Sequence, residues 1–212
     1  MFINEEIGSQ IKERFKDLKD DVKLVVFTEQ SEGRHCEENQ KLVEEVAELS
    51  DKISVTVFDF QSDKEQVEKY GIDKVPATAI TGKADYGIRL YGIPTGYDFV
   101  SLIEGIRIVS TGETQLTSED NKYLADLDKD THLQVFVSPG CPHCPKATIV
   151  AQQMALVSSK VKADMIDSAQ FPDLAKKYNV SGVPHTVINE TSHQEGAAPP
   201  SMIIAKINET LG

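Results

Sequence analysis

The sequence contains no tryptophan and only three cysteines in 212 residues. So few cysteines exclude the disulfide scaffold that small secreted domains use in place of a core. Basic charge is also scarce: 22 Lys and Arg stand against 34 Asp and Glu, for a net charge of −12. A chain this acidic is repelled by phosphate, which argues against a nucleic-acid or anionic-membrane partner. No run approaches the roughly 20 apolar residues of a membrane-spanning helix. The opening MFINEEIGSQIKERF carries acids where a secretory leader would carry basic residues and then an apolar stretch. A cytoplasmic protein is expected, and there a C-x-x-C is usually catalytic or metal-binding. The 40% hydrophobic content supports true cores, and the length suits two domains of about 100 residues each.

The chain repeats itself. KYGIDKVPAT at 69–78 and KYNVSGVPHT at 177–186 lie 108 positions apart (177 − 69) and share Lys, Tyr, Val, Pro and Thr. The same offset carries VFD at 57–59 onto MID at 165–167, and Cys36 onto Cys144. Each copy reads in the same order. An amphipathic helix comes first, with Ile7, Ile11, Phe15 and Leu18 on one face of copy one. A buried strand follows (VKLVVFT, LQVFVS), then a helix at 36–50 or 142–158. A second strand (ISVTVFDF, KADMID) and a short helix lead into Val-Pro, a strand pair and a last helix. This pattern predicts an α/β fold of two tandem units, each a mixed central sheet flanked by helices. The polar stretch STGETQLTSED places the boundary near residue 115, giving units at 1–115 and 116–212, with Thr117 or Ser118 as the next N-cap.

SPGCPHCPKA at 138–147 holds the chemistry. It follows a strand and opens a helix, and Pro142 suits the first helical position, where its missing N–H costs nothing. That predicts Cys141 at the N-cap, with helix N–H groups and dipole stabilising its thiolate, and Cys144 one turn in and enclosed. Cys141 is then the attacking thiol and Cys144 the resolving one. From Thr131 to Ala163 there is no Asp or Glu, while His132, His143, Lys146, Lys160 and Lys162 fall inside or at its edge. Cations near a thiol lower its pKa, and His143 is placed to donate a hydrogen bond to the thiolate. Val183-Pro184 is the second part: a cis bond there would present the Val183 backbone to a substrate chain as an added strand. The plainer alternative is a loop proline.

These motifs resemble the thioredoxin superfamily, and CPHC without a preceding Trp is nearer glutaredoxin than thioredoxin. The whole chain resembles the tandem, glutaredoxin-like protein disulfide oxidoreductases of thermophiles, through FVSPGCPHCP, KYNVSGVPHT, RLYGIPTGYDF and KYGIDKVPAT. The resemblance implies catalysis by Cys141 and Cys144 beside Pro184 as a cis-proline, with no bound cofactor. The Pro-His dipeptide also matches that of a periplasmic dithiol oxidase, which points to an oxidising poise.

Copy one departs from the pattern. Its matching stretch is GRHC at 33–36, so Cys36 holds the resolving position and Gly33 (141 − 108) the nucleophile's. Glu29, Glu32, Glu37 and Glu38 surround Cys36, and carboxylates raise a thiol pKa. This unit is expected to be catalytically silent, with Pro76 a retained structural feature and glutathionylation or partner pairing a minor role for Cys36. The silent-then-active layout also resembles the N-terminal module of the alkyl hydroperoxide reductase flavoprotein. That resemblance implies an electron relay between a thioredoxin-reductase-like flavoprotein and a peroxiredoxin.

The first reading is a thiol–disulfide oxidoreductase acting on protein thiols and disulfides, the second is that relay, and the third a non-catalytic peptide-binding module using the two Val-Pro grooves. Zinc needs four ligands, and no second C-x-x-C or spaced His pair follows, so no metal site is expected. An iron–sulfur cluster shared between chains is disfavoured by the stiff, proline-flanked loop. His185, next to Pro184, is either packed at a strand start or part of the site.

Overall fold

A computed structural model describes residues 2–29 and 33–212. The first part of the chain forms α1 (Glu5–Phe15), β1 (Val22–Thr28), α2 (Arg34–Ala47), β2 (Ile53–Asp59), α3 (Lys64–Tyr70), β3 (Ala77–Thr81), β4 (Asp85–Tyr91) and α4 (Phe99–Thr111), with a 3-10 turn at Gly96–Asp98. The second forms α5 (Ser118–Ala125), β5 (Thr131–Val137), α6 (Cys144–Val157), β6 (Val161–Asp167), α7 (Pro172–Lys177), β7 (His185–Ile188), β8 (Ser192–Glu195) and α8 (Pro200–Leu211).

Apolar runs without alternation, such as LVVF in β1 and ATAIT in β3, are buried. That is the pattern of strands covered on both faces. The strands make one mixed sheet in the order β2-β1-β3-β4-β6-β5-β7-β8. β1 pairs parallel with β2 and antiparallel with β3, which pairs antiparallel with β4. β5 repeats this with β6, β7 and β8. Parallel pairing of β4 with β6, from Ile88↔Ala163 to Tyr91↔Ile166, joins the two sets into a continuous sheet. The outer strands are the wetter ones: β2 is partly exposed and β8 reads SHQE.

Helices cover both faces. The larger core packs Leu24, Ile80, Leu102, Ile106, Leu133 and Met154 on the face of α2, α4, α6 and α8. Here α4 and α6, one from each part, pack together, and the Gln152 amide donates to Ser101 O at 3.2 Å. The smaller core lies on the face of α3 and α7. Within it Phe27 meets Tyr70 edge-on at 5.7 Å and Phe136 meets Tyr178 edge-on at 5.9 Å, the same pair made twice. Each such pair is worth about 0.5–1.5 kcal/mol beyond its buried area.

Local signals fared unevenly. Thr117 caps α5 in a capping box, its hydroxyl accepting from Asp120 N–H while the Asp120 carboxylate accepts from Thr117 N–H, each at 3.1 Å. In α1 the buried stripe runs through Gly8, Ile11 and Phe15, leaving Ile7 39% exposed, and Leu18 is buried but beyond the helix end. The helices expected at 36–50 and 142–158 span 34–47 and 144–157. Among the described residues no helix is long and apolar enough to cross a membrane.

Candidate active site

The C-terminal ends of β4, β5 and β6 lie together because β6 runs parallel to both its neighbours. Their following loops therefore gather at one end of the sheet, the usual place for a site in such folds. The loop after β5 carries the two cysteines. Cys141 N–H donates to Ser138 O at 3.0 Å and Cys144 N–H to Cys141 O at 3.3 Å. Cys144 is the first residue of α6, His143 is its N-cap, and Pro145 lies in its first turn. The expected N-cap at Cys141, with Pro142 at the first helical position, is thus corrected. Pro145 has no N–H to give the Cys141 carbonyl, so the helical bond that would extend α6 back to Cys141 cannot form. Pro142 instead occupies a tight turn ahead of the helix.

Cys141 and Cys144 form a disulfide with their Cα atoms 5.5 Å apart. Cys141 is 7% exposed and Cys144 fully buried, so the outer sulfur is the only one a partner can approach. The Val183 carbonyl oxygen lies 3.6 Å from Cys141 Sγ, a distance at which a reduced thiol donates a hydrogen bond. The Val183-Pro184 bond is cis, as is Val75-Pro76 in the first part. Each proline carbonyl accepts from the glycine that follows the hairpin, Gly196 N–H at 2.8 Å and Gly92 N–H at 2.9 Å. Cys141, Pro142, His143, Cys144, Val183 and Pro184 are thus gathered in one place.

The expected cation surround is gathered only in part. His143 and Lys146 are exposed at the start of α6, and His143 makes no capping hydrogen bond. His132, Lys160 and Lys162 lie at or before the opposite ends of β5 and β6, roughly 16 Å away along extended strands. There His132 Nε2 is 2.6 Å from the Asp164 carboxylate and Lys160 pairs with Asp130 at 3.1 Å. His185 pairs in register with Phe136, and strand alternation turns it to the α7 face, away from the cysteines. Its Nε2 lies 2.8 Å from His193 Nδ1, and burial, then the charge of His193, lowers its pKa.

Acids reach the site from elsewhere. The turn Gly96–Asp98 packs against α6, and Tyr97 N–H donates to Pro139 O at 2.9 Å. Gly96 sits at φ +57, and a Cβ there would lie 2.3 Å from Pro139 O, so only glycine lets the two loops meet. Asp98 is 1% exposed, and its Oδ1 has no hydrogen-bond partner among the described residues. Burial, reinforced by the negative charge of Asp167, pushes the Asp98 carboxyl up to about 7. Asp167 stands beside the end of β5 because Ser168 N–H donates to Val137 O at 3.0 Å. Its own oxygens accept from Ala169 N–H at 2.9 Å and the Gln170 amide at 2.7 Å. A carboxyl that titrates near neutrality on the turn packed against the dithiol-bearing helix is a candidate to take up or supply the proton that exchange requires. Sequence reasoning missed it: the only signal was the acid in GYDF, and nothing local ties that acid to Cys141.

In the first part Gly33, at φ +51, is the N-cap of α2, and Cys36 is 1% exposed in the smaller core with Phe27, Tyr70 and Val75. A cysteine at position 33 would have to adopt a backbone conformation that residues with side chains rarely take. Glu37 is exposed and lies 3.8 Å from Lys41, and Glu29 accepts from the Gln61 amide at 2.8 Å. Glu32 lies outside the described residues. Among the described residues no group of three or more His, Cys, Asp or Glu could hold a metal ion.

Residues 131–209, from β5 into α8, match the thioredoxin domain family. The whole fold is similar to the alkylhydroperoxide reductase AhpF of Enterococcus faecalis: TM-score 0.91, 27% identity, covering 98% of this chain and 100% of that one. It is also similar to a protein disulfide oxidoreductase from Aeropyrum pernix, with TM-score 0.92 and 23% identity over 98% of this chain and 93% of that one. A Bacillus subtilis relative described as NADH dehydrogenase is 24% identical over 208 residues, 98% of this chain. The chain spans only 38% of that relative's length. Residues 131–209 are therefore a thioredoxin domain bearing a C-x-x-C pair, in a mixed α/β thioredoxin-like fold whose neighbours include thiol–disulfide oxidoreductases.

Proposed function

We propose that this chain exchanges thiols and disulfides on protein partners through Cys141 and Cys144. The observation that carries the reading is the pair itself, with Cys144 buried, Cys141 outermost at 7% exposure and the Val183 carbonyl 3.6 Å from its sulfur. In the reductive direction the Cys141 thiolate attacks a partner disulfide, forming a mixed disulfide and releasing one partner thiolate. Cys144 then attacks Cys141 Sγ and releases the second. The partner has gained two electrons and, with solvent protons, two thiols; the chain is left with the Cys141–Cys144 disulfide. A small dithiol or a reduced protein partner restores it. Asp98, on the turn that packs against α6, is assigned as the acceptor of the Cys144 proton, and the Val183 backbone beside Pro184 holds the partner chain in extended form.

In this reading residues 1–115 and 116–212 are two thioredoxin-like units, the first silent at Gly33 and Cys36. The strand pairing repeated in the same order supports that division, as does the twice-made Phe–Tyr contact. A narrower version, an electron relay from a thioredoxin-reductase-like flavoprotein to a peroxiredoxin, draws weight from the 27% identity to the alkylhydroperoxide reductase AhpF. In dithiothreitol-coupled insulin reduction, Cys141→Ser should abolish turnover, and wild-type activity in that variant would refute the assignment. Cys144→Ser should instead accumulate mixed disulfides. A peroxiredoxin or flavoprotein attached to it selects the relay, and a broad set of proteins selects general oxidoreduction.

A further inference from the structure

The turn Gly96–Asp98 sends neighbouring side chains to different environments. Asp98 is buried, while Tyr97 is 50% exposed, the most exposed large hydrophobic side chain among the described residues. Val100, in the first turn of α4, is 39% exposed. The turn is fixed against the dithiol loop: Tyr97 N–H bonds to the carbonyl of Pro139, two residues before Cys141, at 2.9 Å. Cys141 offers only 7% of its surface. A small disulfide can reach that opening end-on. A disulfide within a protein can reach it only if the flanking chain lies over the surrounding surface, and the turn that carries Tyr97, with Val100 just after it, is bonded to the loop that holds Cys141.

Resting on the thiol–disulfide reading above, we propose that Tyr97, assisted by Val100, is a specificity-determining contact for protein partners. The first part of the chain, which has lost its own dithiol, supplies an apolar platform beside the dithiol of the second. The occupant is a polypeptide carrying an apolar side chain next to its reactive disulfide or thiol. A tyrosine suits this role because it offers a large apolar area with few rotatable bonds to immobilise. The backbone bond to Pro139 holds the turn in register with Cys141 whatever side chain stands at position 97.

The test measures kcat/KM for insulin and for 5,5′-dithiobis(2-nitrobenzoate) in the full chain, with Tyr97→Ala, Tyr97→Phe, Val100→Ser and a distant exposed control, Met202→Ser. Tyr97→Ala should lower the insulin-to-small-disulfide ratio about tenfold, chiefly through the insulin KM, as loss of an aromatic anchor does. Tyr97→Phe should restore it, and Val100→Ser should shift it the same way by about threefold. An unchanged ratio in Tyr97→Ala and Val100→Ser overturns the proposal, as does an equal change in Met202→Ser. If the wild type reduces neither substrate, the thiol–disulfide reading itself fails. Because both positions face solvent, the far-UV spectrum and melting temperature of each variant should match the wild type.

Discussion

Asp98→Asn isolates the buried acid beside the dithiol. In the folded protein its carboxyl titrates at about 7, against 3.8 for an unburied Asp. Below pH 4 the group is protonated both folded and unfolded and makes no difference to stability. Between pH 4 and 7 the unfolded chain has released the proton and the folded chain has not, so stability drops as pH rises. Above pH 7 the folded protein bears the full cost of an ionised, nearly unexposed carboxylate with one unmet oxygen. A displacement of about 3 units at about 1.4 kcal/mol each gives a cost of about 4 kcal/mol. Asparagine removes that cost but brings an amide with two N–H donors into the same dry site, for about 1–2 kcal/mol. The variant should therefore be less stable than wild type by about 0.5–1.5 kcal/mol at pH 4 and more stable by about 2–3 kcal/mol at pH 8.5.

Urea unfolding of the oxidised proteins at pH steps from 4 to 8.5, with the two free energies subtracted at each pH, reads this directly. Subtraction cancels every titration the two proteins share. The difference should change sign between about pH 4.5 and 5.5. In the reduced protein a Cys141 or Cys144 thiolate adds a negative charge on the same side of the fold and should enlarge the difference at pH 8.5 while leaving the crossing in place. A difference that stays constant from pH 4 to 8.5 would refute the argument, since it would mean that Asp98 does not carry the perturbed titration.

The repeat was legible because both copies keep the residues that shape the same local turn, from the tyrosine ending a short helix to the Val-Pro before a strand. The Thr117 cap was legible for a similar reason: hydroxyl, acid and spacing lie within four residues. What the sequence hid is whatever depends on where the two copies meet. Parallel pairing of β4 with β6 leaves no local mark, yet it brings Asp98 to a site 43 residues further along the chain (141 − 98). The acid-free run misled for the complementary reason. His132 and Lys162 are near Cys141 in sequence or in strand pairing, but an extended strand carries charge to its far end as efficiently as it carries the chain. Pro142 alone predicts too early a start for α6, because the missing N–H of Pro145 decides where helical bonding begins.

Two further outcomes follow from burial and close contact. With all three cysteines reduced at pH 7, iodoacetamide should modify Cys141 at least about tenfold faster than Cys36, because Cys36 is packed in the smaller core at 1% exposure. Equal rates in the single-cysteine variants would refute the silent-unit reading. Gly96→Ala and Gly33→Ala separate backbone conformation from contact. Both glycines have positive φ, +57 and +51, so an added methyl strains both backbones, by about 1 kcal/mol or more. At Gly33 the new Cβ meets nothing within 4 Å, whereas at Gly96 it would lie 2.3 Å from Pro139 O and 3.0 Å from the carbonyl carbon. Backbone cannot rotate away as a side chain can, so the turn must lift off the dithiol loop and give up the Tyr97 N–H bond to Pro139. Gly96→Ala should cost at least about 2 kcal/mol more than Gly33→Ala in urea unfolding, and insulin reduction should fall only in the former. Equal costs in the two variants would mean that the two loops do not touch, and the platform at Tyr97 would lose its anchor to Cys141.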